Sequence, residues 1–315
     1  MKLDVLTIGE LLVEIMAKNV DQDFLTPGEF LGPYPSGAPT IFIDQVVKLG
    51  LKGGILGCIG EDDFGKNIYE RLKKDGVELS LIKKSSDFIT GIAFVTYFSN
   101  GDRKFIFHLP HSAASQIFPK DVTEELISNI RCLHIMGCSL AISKNVRDTI
   151  EKAVDMAHSY GKIISFDPNI RVELGISEDY LSSIKRILSK TNIILSGERE
   201  LITMTQTKNI EEAINLVKAS GIEIIVIKKG KKGAEVYYKN ENYKEEPFPV
   251  EEVDPTGAGD CFDAGFIASL LEGYHVKEAL KRANIIGALS VTKMGPMEGV
   301  VDKETVDQLS KLLRR

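Results

Sequence analysis

Asp254-Pro255-Thr256-Gly257-Ala258-Gly259-Asp260-Cys261-Phe262-Asp263-Ala264-Gly265-Phe266 turns a loop into a helix within a few residues. The small residues at 257–259 leave the backbone bare, and the largely apolar run over 261–271 suits a buried helix. A buried helix start carries unpaired N–H groups and the positive end of the peptide dipole, so it suits an anion. Small side chains let a phosphate approach that backbone closely. Asp260, inside the first turn, would repel the phosphate unless a nucleophile lies between them. An alcohol in that gap is the arrangement that moves a phosphoryl group onto a hydroxyl.

Upstream of this turn, short apolar runs alternate with amphipathic stretches. Val5–Ile8 and residues 54–58, 133–136, 163–166, 193–195 and 224–227 read as strands; 40–49, 64–74, 146–160, 182–189 and 210–219 read as helices. Helices are also expected at 258–272, 276–292 and 303–313. The alternation predicts an α/β fold with a doubly wound, mainly parallel sheet covered on both faces. Ligands of such sheets bind beyond the carboxyl ends of the strands. Two segments break the rhythm. Residues 11–16 look like a strand and lead into a Gly- and Pro-rich stretch over 19–39, while 90–98 and 104–109 alternate around Ser99-Asn100-Gly101-Asp102. Asn-Gly between two β-runs signals a hairpin. Together they predict a small inserted β-sheet over the ligand edge.

The 315 residues, 43% hydrophobic and 27% charged, are ordinary for a soluble globular chain. A formal charge of −6 gives no electrostatic reason to expect nucleic acid or an anionic membrane as partner. Cys58, Cys132, Cys138 and Cys261 show no zinc or Cys-x-x-Cys spacing, so free thiols in a reducing cytoplasm are expected. No signal peptide or spanning segment is read. Residues 60–67, Gly-Glu-Asp-Asp-Phe-Gly-Lys-Asn, approach a P-loop, but the acidic side chains would repel a triphosphate and Asn67 replaces the magnesium-binding hydroxyl. The first strand ends in Gly9-Glu10-Leu11-Leu12, one glycine where a dinucleotide fingerprint needs three.

The run over 254–266 resembles the C-terminal motif of the PfkB (ribokinase-like) carbohydrate kinases, with every constrained position filled. Phe166-Asp167-Pro168-Asn169-Ile170-Arg171 is similar to a stretch shared by 2-keto-3-deoxygluconate kinases and fructokinases. The resemblance implies a ribokinase-like core over 1–10, 38–88 and 111–315, with a β-sheet lid over 11–37 and 89–110 through which members often form homodimers. It implies a cytoplasmic ATP:sugar phosphotransferase using Mg²⁺ and admits a monovalent cation. Asp260 would be the base, and the N–H groups of Gly257, Ala258 and Gly259 would stabilise the transferring phosphoryl group. Lys228, Gly230 and Gly233 match the nucleotide strand and turn, and Asn284 and Ala288 lie where the family faces adenine. Glu200 falls on the Glu of an Asn-x-x-Glu element that helps place magnesium, although Gly197 replaces its Asn.

On the acceptor side the resemblance implicates Glu14, Gly37, Asp167, Asn169 and Arg171. Ile41 stands where the family has a sugar-binding Asn, and Leu109 stands where 2-keto-3-deoxygluconate kinases carry a second Arg on the lid hairpin. His108 or His111 would have to compensate. A neutral ketohexose and a 2-keto-3-deoxy sugar acid therefore both remain as acceptors. A nucleoside kinase of the same fold, or a non-catalytic sugar-binding regulator, are the alternatives.

Overall fold

The computed structural model describes residues 2–312. Its strands are β1 (Val5–Ile8), β2 (Leu12–Ala17), β3 (Phe30–Ser36), β4 (Gly53–Gly60), β5 (Ile82–Ser85), β6 (Gly91–Tyr97), β7 (Arg103–His108), β8 (Cys132–Met136), β9 (Ile163–Asp167), β10 (Ile193–Gly197), β11 (Ile224–Lys228), β12 (Ala234–Tyr238) and β13 (Glu241–Glu245). The helices are α1 (Ala38–Lys48), α2 (Asp63–Asp75), α3 (Glu124–Ser128), α4 (Lys144–Ser159), α5 (Glu178–Leu188), α6 (Glu198–Thr205), α7 (Ile210–Ala219), α8 (Ala258–Leu271), α9 (Val276–Ser290) and α10 (Lys303–Leu312). Residue 313 of the expected last helix lies outside the described residues. Among the described residues no helix is long and apolar enough to cross a membrane.

The large sheet runs β13-β12-β11-β10-β9-β8-β1-β4-β5 and is parallel from β11 to β5. Its central strands, from β4 to β11, are largely buried on both faces, which is why they read as unbroken apolar runs. Leu6 and Ile8 point into one hydrophobic cluster with Leu133 and Ile135, while Val5 points into the other with Cys132 and Met136. Successive connections move outward in opposite directions from β1 and β8, so a crevice opens between these two strands at their carboxyl ends. Helix α8 lies in the second cluster and is apolar nearly all round, as a helix enclosed by its neighbours must be.

A separate four-stranded sheet runs β3-β2-β6-β7, with β2 and β6 parallel and the outer pairs antiparallel. Gly32, Pro33 and Pro35 argue against a strand, yet β3 tolerates them because it is an edge. The β12–β13 hairpin gives no apolar signal in its outer strand, Glu-Asn-Tyr-Lys-Glu, because that strand is largely exposed. Helix α1 starts two residues earlier than expected, with Pro39 in its first turn, where the missing N–H costs nothing.

Candidate active site

Residues just past the strand ends build the crevice. Beyond β1 lies Glu10, beyond β8 Cys138 and Ser139, beyond β9 Asn169 and Arg171, beyond β10 Glu200, and β11 ends in Lys228. The small sheet covers these ends, and between the two lies a cavity of about 270 Å³. That is room for a small ligand with a phosphate group beside it.

Helix α8 enters this cavity at its N-terminus. Gly257 caps it at φ 81°, and a Cβ there would stand 2.6 Å from the Pro296 carbonyl oxygen, so only glycine fits. The first intrahelical bond runs from Cys261 N–H to the Gly257 carbonyl at 2.9 Å. The N–H groups of Gly259 and Asp260 precede it and have no helical acceptor. Asp260 is buried and accepts from Asn169 Nδ2 at 3.2 Å. Burial pushes its carboxyl up to about 7 against the pull of Arg171. A base poised there suits proton transfer near neutral pH.

Lys228 reaches across the same floor. Its Nζ donates to Asp167 Oδ2 at 2.9 Å and to Asp263 at 2.9 and 3.1 Å. Burial alone would lower the lysine, but Asp167 and Asp263 outweigh it and hold the ammonium charged. Lys228 thereby ties β9 to α8, and the same Asp167 receives Asn169 N–H at 3.0 Å. Asn169 adopts φ 38°, a left-handed conformation that Asn tolerates better than most residues.

The small sheet furnishes the roof. Glu14 on β2 is buried; one oxygen accepts from Ser36 Oγ at 3.0 Å and the other has no partner in the protein. Burial raises its carboxyl to about 7. Asn169 Oδ1 is likewise buried and unpartnered. Two orphaned acceptors around one cavity suit a ligand rich in hydroxyl donors, since leaving them unpaired costs about 1–3 kcal/mol each. On β7 the alternation turns Arg103, Phe105 and Phe107 toward the cavity. The guanidiniums of Arg103 and Arg171 both lean on the Phe105 ring, at 5.9 and 5.8 Å from its centroid. Among the described residues, neither has an ion-pair partner within 4.0 Å.

A sequence profile described as pfkB family carbohydrate kinase matches residues 5–303, nearly the whole chain. The chain belongs to the pfkB family of carbohydrate kinases. It is 30% identical over 300 residues to fructokinase-2 of Oryza sativa subsp. japonica, covering 92% of this chain and 89% of that protein. It is 29% identical over 309 residues to 2-dehydro-3-deoxygluconokinase of Bacillus subtilis (strain 168), covering 96% and 94%. An E. coli protein with the provisional description ribokinase II, solved with ATP and Mg²⁺, superposes with a TM-score of 0.92 at 41% identity over the full length of both chains. The ribokinase-like α/β fold and the sugar-kinase activity are thus those of this chain's family.

In this pfkB kinase the cavity brings together Glu14, Gly37, Asp167, Asn169, Arg171 and Glu200 with Lys228 and residues 257–260. Gly230, Gly233, Asn284 and Ala288 lie outside it. Gly230 is exposed in the turn after β11, Gly233 packs against the Glu245 carbonyl, and Asn284 Nδ2 donates to the Glu246 carbonyl at 2.6 Å. Glu200 accepts Gly197 N–H at 2.9 Å and Ile170 N–H at 3.2 Å, one on each oxygen. Gly197 thus serves as the cap of α6 with no side chain of its own. Lone pairs remain on both Glu200 oxygens, and among the described residues no cluster of three metal-ligating side chains exists. A single carboxylate with free lone pairs near the start of α8 fits magnesium, which keeps several waters and takes few protein ligands.

Two site residues escaped the sequence reading. Arg103 supplies the lid cation that the Leu109 position lacks, from six residues upstream on the same strand and loop. β7 begins at Arg103, one residue before the expected strand, and only with that start does the alternation place 103, 105 and 107 on one face. Glu10 is buried against Ser139 Oγ at 2.6 Å and Cys138 Sγ at 3.4 Å, and burial raises its carboxyl. Its place directly after β1 was the available clue.

Proposed function

We propose that this kinase transfers the γ-phosphoryl group of ATP to a primary hydroxyl of a small sugar acid. The observation that carries the acid is the pair Arg103 and Arg171, two unpaired guanidiniums resting on one ring of the cavity wall. Asp260 and Glu200 lie in the field of Arg171, but neither guanidinium is engaged in a direct ion pair, so each planar fork is free to take a carboxylate. Glu14 and Asn169, with their unpartnered oxygens, would accept hydroxyl protons of the acceptor, and Gly37 would let it approach the backbone.

Asp260 takes the proton of the attacking hydroxyl while the N–H groups at 257–259 receive charge on the transferring group. Such transfer depends chiefly on position and electrostatics, so one base and a ring of donors suffice. Lys228 holds Asp167, and through it Asn169, in register with Asp260. Glu200 would hold magnesium, which supplies neutralisation of the phosphate oxygens when bound. Gly230, Gly233, Asn284 and Ala288 would border the nucleoside end of ATP, outside the acceptor cavity. The small sheet acts as a lid that excludes water. Its outer face exposes Ile106, which we assign to a homodimer contact. Four buried free thiols agree with a reducing cytoplasm.

ADP release with 2-keto-3-deoxygluconate and with fructose tests the acceptor. Arg103→Ala and Arg171→Ala should each lower kcat/KM on the sugar acid by about 10- to 100-fold, as loss of a charged hydrogen bond implies, and that on fructose by less than about 3-fold. Equal losses on both acceptors would assign the arginines to packing and return the neutral ketose.

A further inference from the structure

Tyr97 closes β6 in the small sheet, yet its phenol reaches the core turn that precedes α8. The oxygen lies 3.0 Å from Asp254 Oδ1 and 2.7 Å from Thr256 Oγ1. Asp254 is itself the knot of that turn: Oδ1 accepts Thr256 N–H at 3.0 Å and Oδ2 accepts Gly295 N–H at 2.9 Å. The next residue, Pro296, presents the carbonyl that forbids a side chain at Gly257. A second tyrosine of the small sheet, Tyr34 on β3, covers Gly295 so closely that a Cβ there would stand 2.9 Å from its ring. Burial and the Asp254 carboxylate push the Tyr97 phenol up, so it stays a neutral donor throughout the working range.

We infer that Tyr97 is a positioning residue for phosphoryl transfer, through which the small sheet, when seated, sets the conformation of the Thr256-Gly257 turn and hence the nucleotide's phosphate site. The turn has few alternatives once Asp254 is tied on both oxygens, and Tyr97 supplies the tie that comes from outside the core. The small sheet touches this turn through the Tyr34 ring on Gly295 and through the Tyr97 hydroxyl, and the hydroxyl is the hydrogen bond that couples the sheet's position to the turn's shape. The consequence is that triphosphate binding is strong only with the sheet seated, which keeps the phosphate site unformed when the acceptor cavity lies open. This inference rests on reading residues 257–260 as the phosphate site.

The test is calorimetric binding of Mg²⁺·AMP-PNP to the full chain, which needs no knowledge of the acceptor. Tyr97→Phe and Thr256→Val should each weaken AMP-PNP by about 5- to 20-fold, the range for a lost partly buried hydrogen bond. The double variant should be no weaker than Tyr97→Phe by more than about 2-fold, because that single change already removes the Thr256 contact along with the one to Asp254. A purely structural role would lower melting temperature without this non-additivity in affinity. AMP-PNP affinity of Tyr97→Phe within about 2-fold of wild type, or losses that multiply in the double variant, would overturn the proposal. If Tyr97→Phe fails to fold, Thr256→Val tests the contact from the core side, and wild-type affinity there refutes it. Gly257→Ala separates the two readings: unchanged AMP-PNP affinity in that variant removes the phosphate site itself, and the inference with it.

Discussion

Replacing Asp260 by Asn should make the enzyme nearly inactive and more stable at once. The isosteric amide cannot accept the proton of the attacking hydroxyl, so kcat should fall by about 10²- to 10⁴-fold, the span of general-base catalysis. Stability moves the other way. The carboxyl sits at about 7 in the folded chain against an ordinary 3.8, because burial disfavours its charge. The folded state therefore binds the extra proton between those two values, and Asp260 costs progressively more stability as pH rises through that window, then a constant amount above it. A shift of about 3 units corresponds to about 4 kcal/mol at full ionisation, of which about 2.6 kcal/mol accrues between about pH 5 and pH 8. Asn carries no such cost. Its stability advantage should grow by that amount over this interval and level off above it. With about 2.1 cal/mol/K per residue of unfolding entropy, this is about 4 °C in Tm for a chain of this length. Differential scanning fluorimetry of both proteins at about pH 5 and pH 8 reads the difference. A variant less stable than wild type at pH 8, or an advantage independent of pH, would mean that Asp260 is solvated and not the desolvated base the site requires. The same poise predicts that wild-type kcat/KM declines as pH drops through about 7, since the base works deprotonated.

Lys228→Met should cost about 3–5 kcal/mol in urea unfolding, because it leaves the Asp167 and Asp263 carboxylates buried without their shared cation. A loss under about 1 kcal/mol would show that water neutralises the pair. Ile106→Asp should convert a dimer to a monomer in analytical ultracentrifugation while ADP release stays within about 2-fold, since surface changes away from the site are near neutral. Unaltered sedimentation would remove this face from any dimer contact.

What could be read from the chain alone was what the chain encodes locally. Residues 257–260 carry their chemistry in consecutive positions, and the strand ends at Asp167 and Lys228 follow from short apolar runs. The sugar-acid preference we propose rests on residues encoded otherwise. Arg103 faces the cavity because β7 pairs with β6 in the register Tyr97 to Arg103, and no local pattern announces that register. The departures at 41 and 197 show the same division. Gly197 looked like a lost ligand, but its backbone N–H caps onto Glu200 and the carboxylate stays in place without an Asn beside it. Ile41 packs near Gly257, where a hydroxyl-binding Asn would have stood beside the phosphate turn. An apolar wall at that point, with Arg103 on the small sheet and Arg171 beyond β9 lining the same cavity, is what favours the sugar acid in our proposal. The transfer chemistry can then be common to the family while the acceptor is chosen by residues far apart in the chain, which is where two relatives with the same motif would be expected to differ.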